Sequence, residues 1–452
     1  MRIIIVGDGK LGSTLVGMLS AEGHDITVIE HRSSVLRDSV NMQDIKGIHG
    51  NGASYDVQME AGVEHADLLI AATSSDELNI LCCILAKKLG AKNTIARVRN
   101  PEYSKQLRLM QDEIGLSMVI SPEREAAREI ARNMRLPSAL NVDVFARGRV
   151  ELVELRVTQA SGLGDKTLVR LAREFQQKFL VCAVQRGDEV IIPRGDFTLT
   201  VGDRIHITAS PADIHEFFHR IGLITKRIRT AMIVGGGPIS IYLAQQLAAM
   251  DIKVKIIEKK PERCEILCNF LPKATVINGD GTDEELLNEE GVRGVDAFVA
   301  LTDLDEQNII ISMYASAMGV KKVITKIDHI RFREIFIETG VENIVSPINT
   351  SADQIMRFVR AMQNSMGSSN VETLHRIVDR RVEALEFTVR HDAAFLNVPI
   401  SNLKLKSNLL IASITRDGRQ NIVPGGDDVI KCGDNVIVVT TQSLRDLGDI
   451  LR

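Results

Sequence analysis

Residues 7–12, Gly7-Asp8-Gly9-Lys10-Leu11-Gly12, carry glycine at the first, third and sixth positions. They follow an apolar run and lead into an amphipathic stretch, so they read as a strand, a tight turn and the start of a helix. Such a loop can hold a phosphate. Gly7 permits the turn, Gly9 lets a pyrophosphate approach the backbone, and Gly12 lets the helix pack against the strand. The helix N-terminus adds unpaired amides and a positive partial charge. Glu30 ends the second apolar run, where an acid accepts hydrogen bonds from the ribose hydroxyls of adenosine and repels a 2′-phosphate. The spacing therefore predicts NAD(H) in preference to NADP(H).

The constellation occurs twice. Gly235-Gly236-Gly237-Pro238-Ile239-Ser240 follows another apolar run, and Glu258 stands where Glu30 does. Here Ser240 replaces the third glycine and is small enough for fairly close packing. Pro238 suits a first helical turn but has no amide to offer a phosphate. A different affinity or ligand is expected in this half. Thr73-Ser74 and Thr302-Asp303 follow the fourth strand of each half, at the strand ends where ligands sit in parallel sheets. The same residue types also cap helices, and Ser75 or Asp76 could cap the one containing Asn79. Arg97 closes the fifth strand and could reach a phosphate or form a surface ion pair; Lys326 is its counterpart.

The repeat organises the elements that must position these groups. Residues 48–79 pair with 277–308, with one residue of drift from the offset of the glycine loops, and Ser121-Pro122 corresponds to Ser346-Pro347 and 190–208 to 421–440. In residues 1–135 and 229–365 short apolar strands alternate with amphipathic helices. That pattern predicts an α/β fold with two Rossmann-like, doubly wound parallel sheets. Helices are expected to begin near Leu11, Leu78 and Pro101, with Gly23 and Gly90 at helix C-terminal caps. Residues 140–224 and 372–452 read as small α+β modules, with short strands, Gly-Asp turns and one helix around residues 166–177. The basic stretch 225–230 is the expected joint between halves.

A chain of 452 residues exceeds one core at about 100–200 residues per domain, which agrees with four domains. Apolar residues make up 44% and the net charge is −4, so no polybasic surface for nucleic acid or membrane is implied. Aromatics are 4% with no Trp, too few for base-stacking platforms. No signal peptide is expected before the first strand, and no apolar run approaches the roughly 20 residues that span a bilayer. Six scattered cysteines suit a reducing compartment. Cys264 and Cys268 share a helix face but lack further ligands, so no metal site is expected.

Taken together, the tandem glycine loops, the H-G-N-G and N-G-D-G segments (49–52 and 278–281), the A-T-S-S-D-E-L-N stretch (72–79) and the small module after each unit resemble the RCK/KTN (regulator of potassium conductance) domain family. The order resembles the tandem N–C–N–C arrangement of Trk-type regulators and covers essentially the whole chain. The resemblance implies a cytosolic regulatory subunit that assembles as a homo-oligomeric ring on an integral-membrane potassium transporter. It also implies NAD(H), and ATP or ADP, as ligands. By matching positions, the first site comprises Gly7 to Leu11, Glu30, Thr73, Ser74 and Arg97. The second comprises Gly235 to Ile239 and Glu258, with Thr302 and Asp303. The alternative is an NAD-dependent oxidoreductase, which needs a proton donor held beside the nicotinamide. The ten histidines form no such pair in sequence, and His24 and His49 read as exposed loop positions. A regulator without catalytic residues is the expectation.

Overall fold

The computed structural model describes the chain except residues 43, 102, 104, 105, 107–110, 112, 177, 224–226, 329–340, 366–370, 379, 380, 390–392, 394, 417–419, 443, 445 and 452. In the first half β1 (Arg2–Val6), β2 (Asp25–Glu30), β3 (Lys46–His49), β4 (Leu68–Ala71), β5 (Asn93–Arg97) and β6 (Met118–Ile120) form a parallel sheet in the order β3-β2-β1-β4-β5-β6. This is the doubly wound order, with the chain reversing direction across the sheet between β1 and β4. Strands β1 and β4 bury nearly every residue because helices cover both faces.

The covering helices are α1 (Lys10–Ala21), α2 (Ser33–Met42), α3 (Tyr55–Glu60) and α4 (Asp76–Leu89). Two begin where the sequence predicts. The structure adds α2, whose apolar positions are few, and α3, a helix of 6 residues too short to show a period. The helix expected near Pro101 lies largely outside the described residues. Gly90 caps α4 at φ 116°, a left-handed conformation that glycine adopts without strain.

Helix α5 (Pro122–Asn133) follows β6, and the small module after it runs β7 (Asn141–Phe145), β8 (Val150–Arg156), α6 (Leu168–Glu174), β9 (Leu180–Arg186), β10 (Glu189–Ile191), β11 (Arg204–Ala209) and α7 (Pro211–Arg220). Its antiparallel sheet has the order β10-β9-β11-β8-β7. Strand β7 and helix α7 are additions to the sequence reading. The Gly-Asp turns have a specific cause. Asp203 is buried and accepts two hydrogen bonds from the Arg186 guanidinium, each 2.8 Å, and one from Thr200 N at 2.8 Å. Asp434 repeats this with Arg416 at 3.0 and 2.9 Å. A buried carboxylate needs such bidentate pairing.

The second half repeats the plan. Strands β12 (Thr230–Val234), β13 (Lys253–Glu258), β14 (Thr275–Asn278), β15 (Ala297–Ala300), β16 (Lys322–Lys326) and β17 (Asn343–Val345) order as β14-β13-β12-β15-β16-β17. Helices α8 (Pro238–Ala249), α9 (Pro261–Phe270), α10 (Glu284–Glu289) and α11 (Asp305–Ala317) accompany them, and α12 (Pro347–Ser365) follows. The second small sheet holds β18 (Val371–Ile377), β19 (Val382–Thr388), β20 (Leu409–Arg416), β21 (Gln420–Ile422) and β22 (Asn435–Thr440), ordered β18-β19-β22-β20-β21. The expected joint at 225–230 falls partly outside the described residues.

Like groups with like. Residues Met1–Ala131 and Ile228–Met356 form one compact unit, and Arg132–Arg227 with Arg357–Arg452 form the other. Within the second unit the two small sheets share an apolar core that includes Phe145, Leu152, Ile377, Val382 and Val439. Across that core His375 Nδ1 lies 2.9 Å from Asp143 Oδ1.

Helix α1 packs on its own loop so closely that a Cβ on Gly12 would sit 2.1 Å from Gly7 O. Gly12→Ala should therefore destabilise the protein by about 1–3 kcal/mol, the cost of overpacking, although alanine normally favours a helix interior over glycine. Denaturant unfolding measures this, and an unchanged midpoint would contradict the packing.

Candidate functional site

Both glycine loops turn through left-handed backbone, with φ +93° at Gly7 and +101° at Gly235. A Cβ would meet the Thr73 backbone at 3.0 Å in the first loop and Leu301 O at 2.7 Å in the second, so each turn needs glycine twice over. Gly9 and Gly237 differ: both have ordinary φ, and a Cβ there would meet nothing within 4 Å. Open space therefore lies in front of each helix N-terminus. The first turn of α1 closes through Ser13 N to Gly9 O at 2.9 Å, which leaves Lys10, Leu11 and Gly12 to present their amides. In α8, Pro238 has no amide and Ser240 N already bonds Gly237 O at 3.0 Å, while the Ser240 hydroxyl donates to Gly235 O. The second loop offers fewer donors. The donors and the open space fit a pyrophosphate in the first loop.

Glu30 is engaged within the protein. Its carboxylate is buried and serves the protein first. Oε2 accepts Asp8 N at 2.8 Å; Oε1 accepts Arg32 N at 2.9 Å and Arg32 Nε at 3.2 Å, with His31 Nδ1 at 2.9 Å. Glu258 does the same, accepting Gly236 N at 2.6 Å and Lys260 N at 2.8 Å. Burial alone would raise the Glu30 pKa, but the Asp8 and Arg32 amides and the Arg32 guanidinium together hold it below the usual carboxylate range. Asp8 moves the other way. Burial raises it, and neighbouring Glu30 adds to that against the Ser39 hydroxyl bond and Arg32.

Thr73 and Thr302 are fixed by residues outside the glycine motifs. Asn79, wholly buried, accepts Thr73 N at 2.8 Å and Thr73 Oγ1 at 2.7 Å, and donates to Arg97 O at 3.0 Å. Asn308 accepts Thr302 N at 2.8 Å and donates to Lys326 O at 3.0 Å in the same way. The available signal was an Asn at matching positions in both copies. The capping reading holds for Ser75, which accepts Leu78 N at 3.2 Å, while Asp76 accepts Arg99 N at 2.9 Å. Ser74 and Asp303 stay exposed beside these loops.

The two glycine loops open toward a common cavity of about 370 Å³, lined by Lys10, Leu11 and Arg97 from one half and Gly237, Asp303 and Lys326 from the other. Arg97 is partly committed, with Nη2 3.8 Å from Glu123 Oε1. Lys326 Nζ donates to Thr302 O at 3.1 Å, and Lys10 Nζ reaches Asp328 of the opposite half at 3.5 Å. His24 is a correction: it is buried at the turn before β2 rather than exposed. His49 is exposed, with Nε2 2.9 Å from His31 O. Among the described residues no cluster has metal-ligand character, and Cys264 donates to Glu258 O at 3.5 Å.

The TrkA-N domain family matches residues 3–122 and 231–347, and the TrkA-C domain family matches 152–222 and 384–451. The chain belongs to the TrkA family. A Trk system potassium uptake protein TrkA homolog of Archaeoglobus fulgidus is 34% identical over 454 residues, covering 100% of both chains. The TrkA protein of Halomonas elongata is 33% identical, covering 99% of this chain and 98% of that protein. In fold the chain is similar to the GsuK RCK domain, with TM-score 0.63, 17% identity, and 97% of this chain and 92% of that one covered. A GsuK channel bound to NAD gives TM-score 0.63 at 17% identity, covering 97% and 76%. Both TrkA-N segments contain a glycine loop, its acid and its Thr–Asn pair, so the TrkA framework spans both crevices.

Glu30→Gln should lower stability at pH 7 by about 1.5–3 kcal/mol, the range for hydrogen bonds to a charged group. A depressed acid stabilises the fold above its unfolded pKa of about 4.3, and that contribution is lost as pH falls through the lower folded value. The deficit should therefore close at acid pH; a deficit constant from pH 7 downward would contradict the role given to the charge.

Proposed function

We propose that this TrkA-family chain is a regulatory subunit that binds NAD(H) and adenine nucleotides and controls a potassium-translocating membrane protein. The observation that carries this reading is the pair of glycine loops, each with open space before a helix N-terminus, in a chain aligned end to end with potassium uptake proteins. The first site comprises Gly7 to Gly12, Glu30, Thr73, Ser74 and Arg97. The second comprises Gly235 to Ile239, Glu258, Thr302 and Asp303. ATP and ADP are the further ligands. We assign four domains, 1–135, 140–224, 229–365 and 372–452. The partner is an integral-membrane transporter of Trk type, on which the chain sits as a homo-oligomeric ring at the inner face of the cell membrane. Among the described residues no helix is long and apolar enough to cross a membrane, which supports attachment through that partner.

The mechanism is linkage. A ligand that fits one geometry of the paired halves better than another shifts the population of conformations, and the partner reads the shift. Couplings of about 1–3 kcal/mol are typical. No residue is assigned to hydride transfer, so NADH mixed with the protein and a panel of small carbonyl compounds should remain unoxidised.

Gly9→Leu and Gly237→Leu test the sites directly, because a Cβ at either position meets nothing within 4 Å and the side chain is added at the helix N-terminus that borders the crevice. Each should cost about 1 kcal/mol of stability, since glycine is favoured over leucine at a helix N-cap, and leave the chain folded. By calorimetry each should abolish nucleotide binding at its own loop and lower the stoichiometry per chain. In vesicles reconstituted with the partner, potassium flux should respond to nucleotides in the wild type and lose the response in Gly9→Leu. Flux indifferent to every nucleotide would overturn the reading.

A further inference from the structure

The two loops differ at the residue after their first glycine: Asp8 in one, Gly236 in the other. The covering helix changes to match. Ser39 of α2 hydrogen-bonds the Asp8 carboxylate, whereas Leu267 of α9 is wholly buried with a methyl 2.5 Å from where a Gly236 Cβ would lie. A polar pair and an apolar pair thus fill the same space. The polar one is costly. Asp8 is 4% exposed, its Oδ1 has no hydrogen-bond partner, and its amide is bonded to a second carboxylate, Glu30. A glycine–leucine pair packs the same place in the second half without that cost, so packing does not explain Asp8.

The charges around the loops point the same way. Glu30 faces Asp8 from the end of β2. Arg32, just beyond, is bonded to Glu30 at 3.2 Å, and α2 contributes the neutral Ser39. Within the loop itself Lys10 reaches away to Asp328 at 3.5 Å. A phosphate on this loop therefore arrives beside a buried carboxylate. At the second loop Arg263 Nε donates to Gly236 O at 2.9 Å, Lys260 lies next to Glu258, and Lys259 is paired with Asp280 at 2.7 Å. That loop has a guanidinium bonded to its backbone and no acid at the position of Asp8.

We propose that Asp8 makes the first crevice discriminate against phosphate charge, so that it takes a dinucleotide pyrophosphate in preference to a nucleoside triphosphate, while Gly236 and Arg263 let the second crevice accept the more highly charged ligand. The inference rests on the reading that both crevices bind adenine nucleotides. The physics is Coulombic: repulsion at a low-dielectric site grows with each phosphate charge, so ATP is penalised more than NADH. The discrimination depends on pH, because protonating Asp8 removes the repulsion. Its carboxyl is raised by burial, so protonation begins above the ordinary aspartate range.

The test uses full-length chain carrying Gly237→Leu, so that only the first crevice binds, titrated with NADH and with ATP at about pH 8 and about pH 5. At the higher pH NADH should bind more tightly than ATP, and Asp8→Asn should narrow that ratio about tenfold or more. At the lower pH the difference between the parent chain and Asp8→Asn should shrink; the variant also controls for the titration of ATP itself. Asp8→Gly with Ser39→Leu copies a pair that the second half already packs, and should narrow the ratio equally. A ratio unchanged in both variants overturns the proposal while leaving nucleotide binding intact. A change in Asp8→Asn alone overturns it too, since the effect would then follow hydrogen-bond geometry and not charge. If neither nucleotide binds the parent chain, the functional reading fails and this inference with it.

Discussion

The carboxylates of Glu30 and Glu258 hold the glycine loops by their backbone. A turn that passes through left-handed glycine points its next amide away from the sheet, where no strand can pair with it, and an unpaired buried amide costs about 1–3 kcal/mol. The acid at the end of the neighbouring strand supplies the missing acceptor, at 2.8 Å to Asp8 N and 2.6 Å to Gly236 N. Everything at the crevice depends on that bond: the angle of the loop, the entry of α1 and α8, and the direction of their free amides. The Thr73–Asn79 and Thr302–Asn308 pairs do the same work at the carboxyl end of the strand on the other side of β1 and β12.

The duplicated framework leaves the two crevices chemically unequal. The first has three presented amides, an internal carboxylate and Lys10; the second has a proline, a serine turned onto its own loop and Arg263. Equal sites would report a single ligand twice. Unequal sites opening on one cavity meet the physical requirement for a regulator that compares two ligands.

The small modules carry their own repeated device, a buried aspartate clamped by an arginine across a glycine turn. It explains why Gly202-Asp203 and Gly433-Asp434 recur with Arg186 and Arg416. The sheets then bury their remaining apolar faces against each other, with Ala146 N donating to Glu386 Oε2 at 3.2 Å across the seam.

Local sequence alone determined the strands, the glycine turns and the doubled plan, because steric rules at Gly7 and Gly235 and the apolar periods of β1, β4, β12 and β15 act over a few residues. Ser75 as a cap and Gly90 as a helix stop were legible for the same reason. Short elements such as α3 and β7 were not, since too few residues sample their period. Nor was the commitment of Glu30 to Asp8 N, the burial of His24, the role of Asn79, or the pairing of like sheet with like across the repeat. Those depend on which groups lose water together when distant segments meet. The sequence places a carboxylate at the end of β2, and only the tertiary contact shows which desolvated protein donors, Asp8 N and Arg32 N, it satisfies.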